Sequence, residues 1–147
     1  MTGQYKVLFL CTGNSRRSQM AEAIVNARLD SGWFALSAGT KPADQVHPLA
    51  LKVLEEIGIS HKGLVKPASA VLDVKFDLVV TVCDSAAEEC PLWLTGGKVV
   101  HLPFQDPAKA AGSRDQVMAV FRWVRDEIAA QVPELLKRFL EENCSAD

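Results

Sequence analysis

The chain has 147 residues, 48% hydrophobic and 23% charged, with a formal net charge of −2; that suits one globular domain over residues 1–147 and gives no broad basic field for nucleic acid or an anionic membrane. Val7 to Leu10 is too short an apolar run for a secretory segment and nothing reaches transmembrane length, so a cytoplasmic location is expected. There the four cysteines are expected to be reduced, catalytic or metal-binding rather than structural disulfides, and with no CxxC pair and no histidine near enough in sequence for a zinc knuckle, zinc is not expected.

Tyr5 to Leu10 is β-rich, apolar and short, a buried strand. Cys11 to Arg17 is small and polar, a loop. From Gln19 to Leu29, Met20, Ala23, Ile24 and Ala27 fall on one helical face. Trp33 to Ser37 is a second strand, ended by Ala38-Gly39. Pro48 suits a first helical turn; Ala50, Val53, Leu54 and Ile57 continue the helix and Gly58 stops it. Lys66 to Asp73 reads as a short helix opened by Pro67. Asp77 to Val82 is a third strand, apolar on both faces as in a covered parallel sheet. Cys83 to Pro91 is a polar loop or short helix, Lys98 to Leu102 a fourth strand, and Asp106-Pro107 opens a loop through Gly112. A long helix follows, with Val117, Val120, Phe121, Val124 and Ile128 on one face. Pro133 is expected to kink or restart it, and Glu141 to Asp147 to fray.

Strands alternating with helices predict a three-layer α/β fold, a four-stranded parallel sheet flanked by helices. Ligands in such sheets bind beyond the carboxyl ends of the strands. Cys11, Cys83 and Asp106 all fall at strand ends, so one edge collects them.

The segment Cys11-Thr12-Gly13-Asn14-Ser15-Arg16-Arg17-Ser18 runs from a strand into a helix. Successive amides of such a loop can converge on one anion, helped by the positive end of the helix dipole. Gly13 and Asn14 tolerate the left-handed backbone this curl needs. Arg17 closes the loop with a planar fork matched to two oxygens of a tetrahedral oxyanion. Cys11 sits in the same positive field, which favours thiolate, and Ser15 and Ser18 supply hydroxyl donors.

Val7 through Glu22 resembles the phosphate loop of low-molecular-weight protein tyrosine phosphatases, and more closely that of their arsenate reductase relatives. The resemblance implies Cys11 as nucleophile, Arg17 as oxyanion clamp, Ser18 as the donor that settles the thiolate, and residues 11–17 as the substrate cradle. Many such reductases carry a second cysteine where this chain has Arg16. Val80 through Pro91 resembles the redox segment of thioredoxin-coupled arsenate reductases, which implies a relay from Cys11 through Cys83 and Cys90 and thioredoxin as reductant. Residues seven apart on a helix are about 10 Å apart, too far for a disulfide without unwinding. The alternative is a phosphatase, in which water resolves a phospho-Cys11 intermediate; a non-catalytic anion-binding module is a further one. Asp106 can set a carboxyl opposite Cys11, and the resemblance makes it the general acid.

His47, His61 and His101 have no paired spacing and read as structural or solvated. Arg122, Arg125, Asp126 and Glu127 read as a wet helix face, Trp33, Trp93 and Trp123 as core or lid residues, and Cys144 as an incidental thiol. In some relatives, groups corresponding to Asn14, Glu22 and Ser37 surround a monovalent cation together with one more acidic residue. That position here is Lys66, whose ammonium either takes the ion's place or points into water.

Overall fold

A computed structural model describes residues 5–28, 32–71, 73–82, 98–107 and 110–144. Four strands, β1 (Tyr5–Cys11), β2 (Trp33–Gly39), β3 (Leu78–Thr81) and β4 (Lys98–His101), form one all-parallel sheet in the order β2-β1-β3-β4. The register sets Cys11 beside Gly39 and Leu10 beside Thr81, so the strands finish at a common edge. β1 is central, and Val7 through Leu10 are completely buried. Each of those side chains stabilises the fold by about 1.5–3 kcal/mol through burial.

Helix α1 (Arg17–Arg28) packs against β1 and β2, helix α2 (Pro48–Glu55) and helix α3 (Arg114–Cys144). That enclosure buries every side chain from Arg17 to Val25, polar Gln19 and Glu22 included, while Ala27 of the expected apolar face is exposed. α2 starts as its sequence predicts, with Pro48 in the first turn, and His47 caps it: His47 Nδ1 accepts the Leu49 N–H at 3.1 Å. Gly58, at φ 82°, turns the chain beyond it, while Ile59 N–H reaches back to the Leu54 carbonyl. The segment opened by Pro67 is a 3₁₀ turn, Ala68–Val71.

α3 opens on a reciprocal cap. Ser113 Oγ accepts the Gln116 N–H at 3.2 Å, and Gln116 Oε1 accepts the Ser113 N–H at 2.7 Å. The helix does not restart at Pro133 and stays helical through Cys144. Its apolar residues Val124, Ile128, Val132, Leu136 and Phe139 are buried on both sides of the proline, and that packing outweighs the one backbone bond Pro133 cannot make. Arg125 is not on a wet face. It is buried, with Nη1 donating to the Val53 carbonyl and to Glu56 Oε1, both at 2.9 Å. Arg122 grips the same carboxylate from outside, tying α2 to α3 and holding the Glu56 carboxyl below its ordinary range. Trp33 belongs to the core, against Tyr5 and Phe139 at ring distances of 5.4 and 5.6 Å. Trp123 does not: it is 52% exposed, beside Pro103, Phe104 and Gln105. Cys83, Cys90 and Trp93 lie outside the described residues. Among the described residues, no helix is long and apolar enough to cross a membrane.

Gly39 fixes how closely β2 approaches the Cys11 loop. A Cβ there would lie 2.6 Å from the Thr12 carbonyl oxygen and 3.0 Å from the Asn14 backbone nitrogen. Both are backbone atoms that cannot turn away. Gly39→Ala is therefore expected to leave a folded protein that melts several degrees lower, from roughly 1–3 kcal/mol of overpacking, and to lose oxyanion binding. Calorimetry with and without phosphate checks this; an unchanged phosphate shift would contradict it.

Candidate active site

The Cys11–Arg17 loop is shaped from outside by residues 40–47. The carbonyls of Cys11, Thr12, Gly13 and Ser15 accept from the N–H groups of Thr40, Lys41, Ala43 and His47 at 3.1, 2.8, 2.9 and 2.9 Å. Ser15 Oγ adds a bond to the Gln45 carbonyl. A trans peptide points its N–H opposite to its C=O, so outward carbonyls turn the following amides towards the loop's centre. Asn14 N–H shows the result, reaching Cys11 Sγ at 3.2 Å. The left-handed residue in the curl is Asn14, at φ 51°; Gly13 does not need it.

Cys11 Sγ also lies 2.9 Å from Ser18 Oγ, and Asn14 Nδ2 donates to that hydroxyl at 2.9 Å. Asn14 thus fills the Ser18 acceptor role and leaves the hydroxyl proton for the sulfur. Two donors on a buried sulfur favour thiolate over thiol. Ser18 thus lies against the Cys11 sulfur, whereas Ser15 is spent on the loop's scaffold.

Arg17 is buried. Nη1 donates to the Phe104 carbonyl at 3.1 Å, Nη2 lies 3.6 Å from Asp106 Oδ2, and Nε is buried with no hydrogen-bond partner. A buried, charged N–H left unpaired is costly unless a ligand satisfies it, and an oxyanion oxygen fits that donor. Asp106, on the segment after β4, does come to the loop. Arg16 binds it at two points, Nε to Oδ1 at 2.9 Å and Nη2 to Oδ2 at 3.2 Å. The structure thus brings Cys11, Thr12, Gly13, Asn14, Ser15, Arg16, Arg17, Ser18 and Asp106 together; Cys83 and Cys90 are not among the described residues.

A second layer holds the loop from the α1 side. Gln19 Nε2 donates to the Asn14 carbonyl and to Asn14 Oδ1, both at 3.1 Å, and Lys66 N–H donates to Asn14 Oδ1 at 2.8 Å. Gln19 Oε1 then accepts from His61 Nε2 at 2.7 Å, which assigns the ring proton to Nε2. Burial, helped by Lys66 and opposed by Glu22, keeps His61 below its ordinary pKa, so the ring is neutral at neutral pH. Gln19 and His61 were not legible as site residues; the one signal was a polar Gln beside Met20 in the first turn of a helix that must be covered. Lys66 does not point into open water. Its ammonium lies 3.7 Å from Glu22 Oε1 and donates to the Leu64 carbonyl at 3.0 Å, while Ser37 Oγ donates to the same Glu22 oxygen at 2.8 Å. His47 and His101 do structural work, one capping α2 and the other bonding Thr81 at 2.7 Å.

Comparison with known proteins agrees with this geometry. The family described as low molecular weight phosphotyrosine protein phosphatase matches residues 6–145. An arsenate reductase of Halalkalibacterium halodurans is 45% identical over 130 residues, 86% of this chain and 91% of the relative. A solved arsenate reductase in the phosphate binding state superposes with a TM-score of 0.76 at 30% identity, over 91% of this chain and 98% of that one. A thioredoxin-dependent arsenate reductase of Corynebacterium glutamicum does so with a TM-score of 0.71 at 26% identity, over 96% of this chain and 64% of that one.

Two outcomes follow from the geometry. Alkylation of Cys11 by iodoacetamide should titrate well below about 8.5, the ordinary thiol value, and phosphate should protect it; an ordinary midpoint with no protection contradicts the donor arrangement. Because a fixed ammonium already faces Glu22, melting temperature and activity should not change when potassium replaces a large organic cation at constant ionic strength. Saturable activation by potassium would show that Lys66 does not fill the ion's role.

Proposed function

The chain belongs to the low molecular weight phosphotyrosine protein phosphatase family, and from that premise we propose that it reduces arsenate to arsenite with Cys11 as nucleophile. The carrying observation is the Cys11 sulfur, held by Asn14 N–H and Ser18 Oγ in a loop whose closing arginine keeps an unpartnered buried N–H. Arsenate and phosphate share shape and charge, and the relatives named arsenate reductase span nearly the whole chain.

The loop amides and Arg17 bind the oxyanion. The Cys11 thiolate attacks arsenic, an As–O bond breaks, and Asp106 donates a proton so that the hydroxyl leaves as water. Cys83 as thiolate then attacks Cys11 Sγ. The S–As bond breaks with its electron pair going to arsenic, so As(V) becomes As(III) and arsenite departs, leaving a Cys11–Cys83 disulfide. Cys90 attacks Cys83, freeing the Cys11 thiolate and leaving a Cys83–Cys90 disulfide. An external dithiol reduces that bond by exchange. Thioredoxin is the proposed reductant and the cytoplasm the proposed location, supported by the thioredoxin-dependent relative. The chemistry calls on no metal and no organic cofactor.

The test measures arsenate-dependent NADPH consumption with thioredoxin and its reductase, beside aryl phosphate hydrolysis. Cys11→Ser should abolish both. Cys83→Ser and Cys90→Ser should each lower arsenate turnover by at least about a hundredfold, on the order expected when one member of a catalytic unit is removed, and spare hydrolysis, which needs no second thiol. Normal arsenate turnover in both single variants would sink the relay and leave the hydrolase as the better account.

A further inference from the structure

Arg16 lies inside the anion loop, yet its side chain is committed to the segment opposite. Its guanidinium takes both oxygens of Asp106, at 2.9 and 3.2 Å. The fork is largely shielded, with the Arg16 side chain 23% exposed and that of Asp106 12%. Arg17 Nη2 adds a second positive group at 3.6 Å. Among the described residues, His47 on the segment entering α2 also senses this pair. Burial first, then Arg16, holds its pKa below the ordinary value, against a smaller opposing pull from Asp106, so it brings no charge at neutral pH. Cys11 as thiolate is the negative group of the loop.

We propose that Arg16 is a positioning residue that holds Asp106 against the loop as the carboxylate, and so tilts the site away from phosphomonoesters and towards arsenate. The proposal rests on the reading of Asp106 as general acid. A guanidinium bound at two points stabilises a carboxylate relative to the neutral acid. Transfer of a phosphoryl group to Cys11 breaks the P–O bond to an alkoxide or phenoxide, and that oxygen needs the proton Asp106 carries. In arsenate the departing hydroxyl has a second proton source beside Asp106, the acidic hydroxyls on the same centre, so its loss depends less on the protonation of Asp106. Restraining the acid therefore slows ester cleavage more than arsenate attack. Arg17 cannot serve alone, because its Nη1 is taken by the Phe104 carbonyl and its Nη2 stands farther from the carboxylate than either Arg16 donor.

The experiment compares the full chain with Arg16→Gln, Arg16→Lys and Asp106→Asn, following the Asp106 carboxyl carbon by NMR against pH, with Asp106→Asn assigning the signal. Arg16→Gln is expected to raise the midpoint by about one pH unit or more, the ordinary effect of removing an opposite charge at contact distance, and Arg16→Lys to stay near the native value. Arg16→Gln should also hydrolyse p-nitrophenyl phosphate about tenfold faster above neutral pH, as a one-unit shift requires, while arsenate turnover changes less. An unmoved midpoint in Arg16→Gln, or a moved midpoint with no gain in hydrolysis relative to arsenate turnover, overturns the proposal. If Asp106→Asn keeps both activities, the general-acid reading fails and the proposal falls with it; if Asp106→Asn is impaired and the Arg16→Gln midpoint is unmoved, the proposal alone falls.

Discussion

Four backbone hydrogen bonds make the chemistry of this protein possible. Residues 40–47 hold the carbonyls of Cys11, Thr12, Gly13 and Ser15 facing outward. Left to itself, a short loop of small residues would point its carbonyls wherever solvent allowed, and an anion would meet oxygen as often as N–H. With the carbonyls occupied, the inward amides come at no further cost when an oxyanion arrives. That is preorganisation in the sense that matters for charge developing in a transition state. The closeness of Gly39 and the left-handed Asn14 both follow from this one constraint.

What the chain declares openly is the strand-loop-helix around Cys11. Apolar Val7–Leu10, small polar residues 12–15 and a closing arginine together point to an anion loop and to little else, and the four strands emerge within a residue or two of where alternation and composition place them. The restraint by residues 40–47 was illegible because it is made by backbone, which any side chain permits. Gln19 and His61 were illegible because their roles depend on how α1 is covered by the chain around residue 61, contacts that no local pattern encodes. Arg125 misled for a related reason: a charge at helical spacing looks solvated until Glu56 and the Val53 carbonyl close over it. Pro133 breaks an isolated helix, but its neighbours on α3 are held by the core on both sides.

The charge around Glu22 carries a similar lesson. One carboxylate is met by the Ser37 hydroxyl, the Lys66 ammonium and, at 3.9 Å, the His61 ring. A buried carboxylate needs donors from several directions, and here they arrive from β2 and from the segment before Pro67. That segment also delivers Lys66 N–H to Asn14 Oδ1, so charge balance at Glu22 and loop shape at Asn14 are settled by the same few residues.

The two described tryptophans occupy opposite circumstances. Trp33 is wedged between Tyr5 and Phe139 at the start of the sheet, remote in the strand direction from the edge where Cys11 lies. Trp123 is half exposed beside Phe104 and Gln105, the segment that carries Asp106. Among the described residues, these two of the three tryptophans are therefore fluorophores with separate sensitivities. Emission from Trp33 follows loss of the core as a whole, and quenching of Trp123 by a small solute follows movement of the chain that leads to the Asp106 carboxylate.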